Sequence, residues 1–109
     1  MPKLIISIDF DGVIHDCTKG YKPTEASGAP IPGALVAIQK LKDAGHKLFI
    51  LTGRKDLQVV RCWVANHPVT ADIPVTNIKT FAHLYIDDHG HAFRAWEQTM
   101  EHIDTMLTK

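Results

Sequence analysis

Apolar positions fall into two alternating patterns: short unbroken runs, and stretches in which they recur every three or four residues. The runs read as buried strands and the spaced stretches as amphipathic helices. Leu4-Ile5-Ile6-Ser7-Ile8 predicts a strand buried on both faces, and Leu48-Phe49-Ile50-Leu51 a second. Between them Pro32 suits a first helical position. Leu35, Ile38 and Leu41, with Ala34, Ala37 and Ala44, form an apolar stripe that Gly45 ends. A second helix is predicted from about Asp56 to His67, with Leu57, Val60 and Val64 on one face and Pro68 beyond it. Ile73 to Ile78 is a weaker strand because Pro74 donates no ladder hydrogen bond, whereas Ala82 to Ile86 is a stronger one. Trp96, Met100, Ile103 and Leu107 recur at helical spacing between Ala95 and Leu107, a stripe suited to core packing.

Strands alternating with helices imply an α/β fold with right-handed crossovers and helices on both faces. The expected architecture is a Rossmann-like three-layer sandwich around a mainly parallel sheet. The stretch from about residue 13 to residue 31 breaks this rhythm, since Gly20, Pro23, Gly28 and Pro30 punctuate it as a loop or short hairpin. It is the one segment long enough to act as a flap over a site. Lys19, Tyr21 and Lys22 are its candidates for substrate contact.

Polarity places that site. The three strong strands turn polar at their C-terminal ends, in Asp9 and Asp11, in Thr52-Gly53-Arg54, and in Asp87-Asp88. In open parallel sheets, ligands bind outside those ends. Asp9 and Asp11 are two residues apart and should converge, with Gly12 permitting a sharp turn behind them. Like charges so close raise each other's pKa unless a cation intervenes. Four carboxylates without a nearby cysteine make an all-oxygen site that suits Mg²⁺. Thr52 offers a hydroxyl and Gly53 a backbone N–H at the expected start of a helix, where anions bind. A metal beside an anion cradle points to a phosphoryl substrate, and Lys79 could neutralise both phosphate and carboxylates.

These residues resemble the four motifs of the haloacid dehalogenase-like superfamily, most of whose members are Mg²⁺-dependent phosphohydrolases. Asp9-Phe10-Asp11-Gly12-Val13 is similar to the first motif and Thr52-Gly53-Arg54 to the second. Lys79 corresponds to the third and Tyr85-Ile86-Asp87-Asp88 to the fourth. The resemblance implies Asp9 as a nucleophile that forms an aspartyl-phosphate. It implies Asp11 as general acid and then base, which requires a pKa raised above the ordinary value near 3.9. It further implies Mg²⁺ held by Asp9, the Asp11 backbone carbonyl and a fourth-motif carboxylate. Asp88 is favoured for that contact, with Asp87 behind it or paired with Lys79. Thr52 and Lys79 would hold the phosphoryl oxygens, while Arg54 would contact substrate or face solvent. Neither gap between motifs has room for a folded cap, so residues 1–109 read as one capless domain with a flap.

Composition narrows the partners. Twelve basic and twelve acidic side chains cancel, so no global field steers the chain toward nucleic acid or an anionic membrane. Phosphorylated polymer ends remain compatible as substrates. The N-terminal apolar run is too short for a signal peptide or a membrane span. Cys17 and Cys62 lack CxxC spacing, which fits reduced thiols in the cytoplasm. The seven histidines, His89 and His91 among them, are too scattered for a zinc set. His15 is thus expected to be a core or solvated residue, Cys17 inert, and Trp63 and Trp96 packing residues. A receiver-type phospho-accepting domain is the alternative from another class, but it would place its Thr and Lys after the acidic positions. A non-catalytic binding protein on the same fold is a third, and intact Asp9 and Asp11 give it no support. No GxGxxG follows the first strand, which excludes dinucleotide binding. The sequence leaves the substrate and the oligomeric state open, although subunits could shield one another's sites.

Overall fold

The computed structural model describes residues 3–87, 91–92 and 96–107. In chain order the elements are β1 (Ile5–Asp9), α1 (Ala34–Asp43), β2 (Lys47–Leu51), α2 (Leu57–Ala65), β3 (Val75–Thr76), β4 (Leu84–Asp87), β5 (His91–Ala92) and α3 (Trp96–Leu107). The strands form one parallel sheet in the order β3-β2-β1-β4-β5. The fold is thus the expected Rossmann-like α/β arrangement, and β5 is a strand that the hydrophobic pattern did not reveal. Among the described residues no helix is long and apolar enough to cross a membrane.

The pleat explains where the core lies. Ile6 and Ile8 of β1 stand in register with Leu48 and Ile50 of β2 and with Leu84 and Ile86 of β4, and all six are buried. Alternate side chains share a face, so these six form one apolar surface. The buried stripes of all three helices join the same core: Ala37, Ile38 and Leu41 from α1, Val60 and Val64 from α2, Trp96 and Ile103 from α3.

The opposite face differs from the expectation of helices on both sides. Ile5, Phe49, Leu51 and Tyr85 point there and are only partly buried. The covering layer there is irregular chain: β3 and β4 are joined by residues 77–83, too few for a crossover helix. This segment crosses beside Tyr85, whose hydroxyl donates to the Thr80 carbonyl and accepts from the Ala82 N–H. β2 therefore alternates buried and half-buried positions and is not the doubly buried strand its apolar run predicts.

One helix start moves and the other falls where expected. Gly33, at φ 84°, is left-handed and directly precedes α1, which leaves Pro32 outside the helix. Asp56 caps α2, its carboxylate accepting from the Gln58 N–H at 3.0 Å. Thr52-Gly53-Arg54 consequently lies ahead of that helix, not at its N-terminus.

Candidate active site

Strand order reverses at β1, which lies between β2 on one side and β4 on the other. Such a switch point opens a crevice at the carboxyl ends of the two strands. Ile8 pairs with Ile86, which brings Asp9 and Asp87 side by side on adjoining strands. Both line an open cleft of about 540 Å³, together with Asp11, Thr52, Gly53, Arg54 and Lys79. Asp9 also accepts a hydrogen bond from the Phe10 N–H at 3.1 Å. Lys79 reaches over the Tyr85 ring, its Nζ 4.7 Å from the centroid. Thr52 is buried, and its hydroxyl oxygen accepts from the Arg54 N–H at 3.1 Å, which leaves the hydroxyl hydrogen as its remaining donor. A Cβ placed on Gly53 would meet nothing within 4 Å, so the backbone is bare at the cleft wall. Asp88 lies outside the described residues.

Asp11 sits just past the strand, where Gly12 turns the chain at φ 81°. Its carboxylate receives four donors. Arg54 grips it as a fork, Nε to Oδ2 at 2.8 Å and Nη2 to Oδ1 at 2.9 Å. His15 Nδ1 lies 3.0 Å from Oδ1, and the Cys17 thiol donates to the same oxygen at 3.2 Å. Burial alone pushes the Asp11 carboxyl up. The hydrogen bonds from Arg54, His15 and Cys17, with the Arg54 charge, outweigh it and hold the carboxyl below its ordinary 3.8. This is opposite to the shift that a general acid needs. Burial, then the hydrogen bond and charge of Asp11, push the Cys17 thiol up to about 11, which keeps it protonated and a donor at neutral pH.

A depressed carboxyl stabilises the fold fully above its unfolded-state pKa, and the contribution is lost as pH falls through the folded value. Asp11→Asn should therefore show a shallower loss of stability than the wild type below about pH 4. Denaturant unfolding over a series of acidic pH values checks this, and equal acid sensitivity in both proteins would contradict it.

Asp11, His15 and Cys17 place one oxygen, one nitrogen and one sulfur within 4.8 Å of one another, a set of metal-ligating types. The hydrogen bonds argue against a metal there. His15 Nε2 accepts from the Gly28 N–H at 2.9 Å, so the ring's own proton is on Nδ1, the atom that would have to ligate. A ligating histidine instead donates from its second nitrogen. The oxygen-only pair of Asp9 and Asp87 suits a hard cation such as Mg²⁺ better.

The structure thus brings Asp9, Asp11, Thr52, Gly53 and Asp87 to one cleft, as their positions at strand ends predict, and Lys79 joins them from the 77–83 link. Three expectations change. Arg54 does not face solvent: it is 3 % exposed, and its Nη1 donates to the Lys22 carbonyl at 2.6 Å and to those of Pro23 and Glu25 at 3.3 Å. With Asp11 on its other side, most of its donors are already used. Of the flap candidates only Tyr21 lines the cleft, with Arg54 Cζ 4.5 Å from its ring centroid. Lys19 and Lys22 instead line a separate hollow of about 460 Å³ within the flap, and Lys22 pairs with Glu25 at 3.1 Å. His15 is a site residue that sequence reasoning set aside. Its position four residues after Asp11 was the available signal. Asn77, just beyond β3, also lines the cleft and carried no signal at all.

The fold and the acidic crevice together define a small parallel α/β domain with its site at the switch point. Against known proteins, no family model and no curated sequence matches the chain. The structure is similar to that of a conserved protein from Bacteroides thetaiotaomicron, with a TM-score of 0.74 at 20 % identity, covering 96 % of this chain and 93 % of that one. At that identity the likeness shows a shared fold.

Proposed function

We propose that the chain is a Mg²⁺-dependent phosphohydrolase of the haloacid dehalogenase-like type, working through an aspartyl-phosphate on Asp9. The observation that carries this reading is the placement of Asp9 and Asp87 directly after the registered pair Ile8–Ile86 at the switch point, on a cleft shared with Thr52 and Lys79. Mg²⁺ would be held by Asp9, the Asp11 backbone carbonyl and Asp87 or Asp88, and would offset the repulsion between an anionic nucleophile and an anionic substrate. Asp9 attacks phosphorus in line. The Thr52 hydroxyl and the Lys79 ammonium hold the phosphoryl oxygens. Asp11, kept ionised by its donors, is suited to take a proton from the water that cleaves the intermediate. Its acid role in the first step requires the Arg54 fork to loosen. The substrate is a phosphomonoester with its leaving group toward Tyr21. Two free cysteines, Cys17 and Cys62, support a reducing, cytoplasmic setting.

Phosphate release from a panel of sugar phosphates, nucleotides and phosphorylated polymer ends tests the reading. A chelator should abolish release and added Mg²⁺ should restore it. Full activity after exhaustive metal removal would overturn the proposal. Metal titration of Asp87→Asn beside Asp88→Asn then assigns the fourth-motif ligand.

A further inference from the structure

The flap closes on itself through a short antiparallel ladder. The Asp16 N–H donates to the Ala29 carbonyl at 2.9 Å and the Ile31 N–H to that of Ile14 at 2.8 Å. His15 sits inside this ladder, 4 % exposed, its ring stacked on Phe10 at 5.0 Å and edge-on to Trp63 at 5.8 Å. Packing alone would explain a phenylalanine at this position. The two ring nitrogens do something that packing does not. Nε2 receives the Gly28 N–H of the returning flap strand, and Nδ1, which carries the ring proton, gives it to Asp11 Oδ1.

The Gly28 peptide is held from its other side as well, because its carbonyl accepts from the Trp63 indole at 2.9 Å. A Cβ at position 28 would collide with the Asp16 carbonyl, so only glycine lets the strand approach this closely. Further round the flap, Arg54 ties the carbonyls of Lys22, Pro23 and Glu25 to the same Asp11 carboxylate. The flap therefore has three attachments to the Asp11 carboxylate, through His15, through the Cys17 thiol and through Arg54, and only His15 also holds the returning strand at Gly28.

We propose that His15 is a positioning residue that locks the flap onto Asp11, so that flap closure and the orientation of that carboxylate are one event. When Gly28 lets go of Nε2, the ring can turn and Asp11 Oδ1 loses a donor. When Asp11 turns, the flap loses its anchor at Gly28. The inference rests on the phosphohydrolase reading only where turnover is concerned.

Three substitutions separate the two bonds from the packing. His15→Phe keeps the stacked ring and loses both bonds. His15→Asn can still donate to Asp11 but falls short of Gly28. His15→Gln can still accept from Gly28 without reaching Asp11. Each is followed by amide hydrogen exchange at Asp16, Gly28 and Ile31, and by kcat and KM on an aryl phosphate. In the Phe protein, exchange at Gly28 should rise about tenfold or more, as loss of a buried partner implies, and kcat should fall more than KM changes. Because the two bonds act as one, the Asn and the Gln protein should each lose both the protection at Gly28 and kcat, as the Phe protein does. A Phe protein with wild-type protection and kcat would reduce His15 to packing and overturn the proposal. So would an Asn protein that keeps wild-type kcat or a Gln protein that keeps wild-type protection at Gly28, because the two bonds would then act separately. If the Phe protein does not fold, the Asn and Gln pair still decides. If the wild type releases no phosphate, the functional reading fails, and the exchange measurements alone still decide whether the lock exists.

Discussion

Asp9→Asn is expected to abolish phosphate release and leave no covalent intermediate at any pH, whereas Asp11→Asn should retain the nucleophile and lose only proton transfer. Asp9 and Asp11 are the same side chain two residues apart, and the structure separates them by surroundings. Asp9 ends β1 beside Asp87 and opens on the cleft. Asp11 lies beyond the strand and is bound by Arg54, His15 and Cys17. Loss of general acid–base catalysis typically costs about 10²–10⁴-fold in rate. That cost should shrink for substrates whose leaving group departs unprotonated, and the aspartyl-phosphate should then accumulate, because nothing activates the water. Rapid quench with a labelled activated phosphate distinguishes the two. Label held by the Asp9→Asn protein and missing from Asp11→Asn would exchange their roles.

Arg54→Ala is expected to cost about 3 kcal/mol of stability, the lower part of the range for breaking a buried pair. The guanidinium is almost wholly enclosed, while the Asp11 side chain keeps 23 % of its surface, so solvent relieves part of the stranded charge. Three flap carbonyls lose their donor at the same time. For a domain of this size the change corresponds to a fall in Tm of roughly 10–20 °C. Arg54→Lys should lose most of the same stability, because an ammonium cannot make the fork and reach the flap carbonyls together. Thermal and denaturant unfolding measure both. A loss below about 1 kcal/mol for Arg54→Ala, as seen for exposed pairs, would show that solvent already screens this contact.

The strands that carry the candidate site were legible because each apolar run stops at a polar residue: Ile8 before Asp9, Leu51 before Thr52, Ile86 before Asp87. A parallel sheet then puts these C-terminal ends on one edge without knowledge of any contact. What surrounds Asp11 was not legible. Its main partner, Arg54, is 43 residues away, and the fork depends on how the flap folds back over it. The same contact decides that Tyr21 lines the cleft while Lys19 and Lys22 do not, since Arg54 holds the flap by its backbone carbonyls. The distribution of helices was missed for another reason. A run such as Leu48–Leu51 looks doubly buried in sequence, yet the short link 77–83 leaves Phe49 and Leu51 half covered.

Among the described residues the sheet ends at each side on a very short strand, β3 with Val75–Thr76 and β5 with His91–Ala92. Pro74 precedes β3, and its carbonyl accepts from the Ile50 N–H while its ring nitrogen has no hydrogen to donate outward. An exposed edge is a template on which another chain can add a strand, and its danger grows with its length. Two residues offer too few unpaired backbone groups to seed such growth. The apolar strand β1 is kept inside, with β2 on one side and β4 on the other using its hydrogen bonds, whereas β3 covers only Ile50 and Leu51 of β2. The chain can thus carry an aggregation-prone run such as Ile5–Ile8 without presenting it to another molecule while it stays folded.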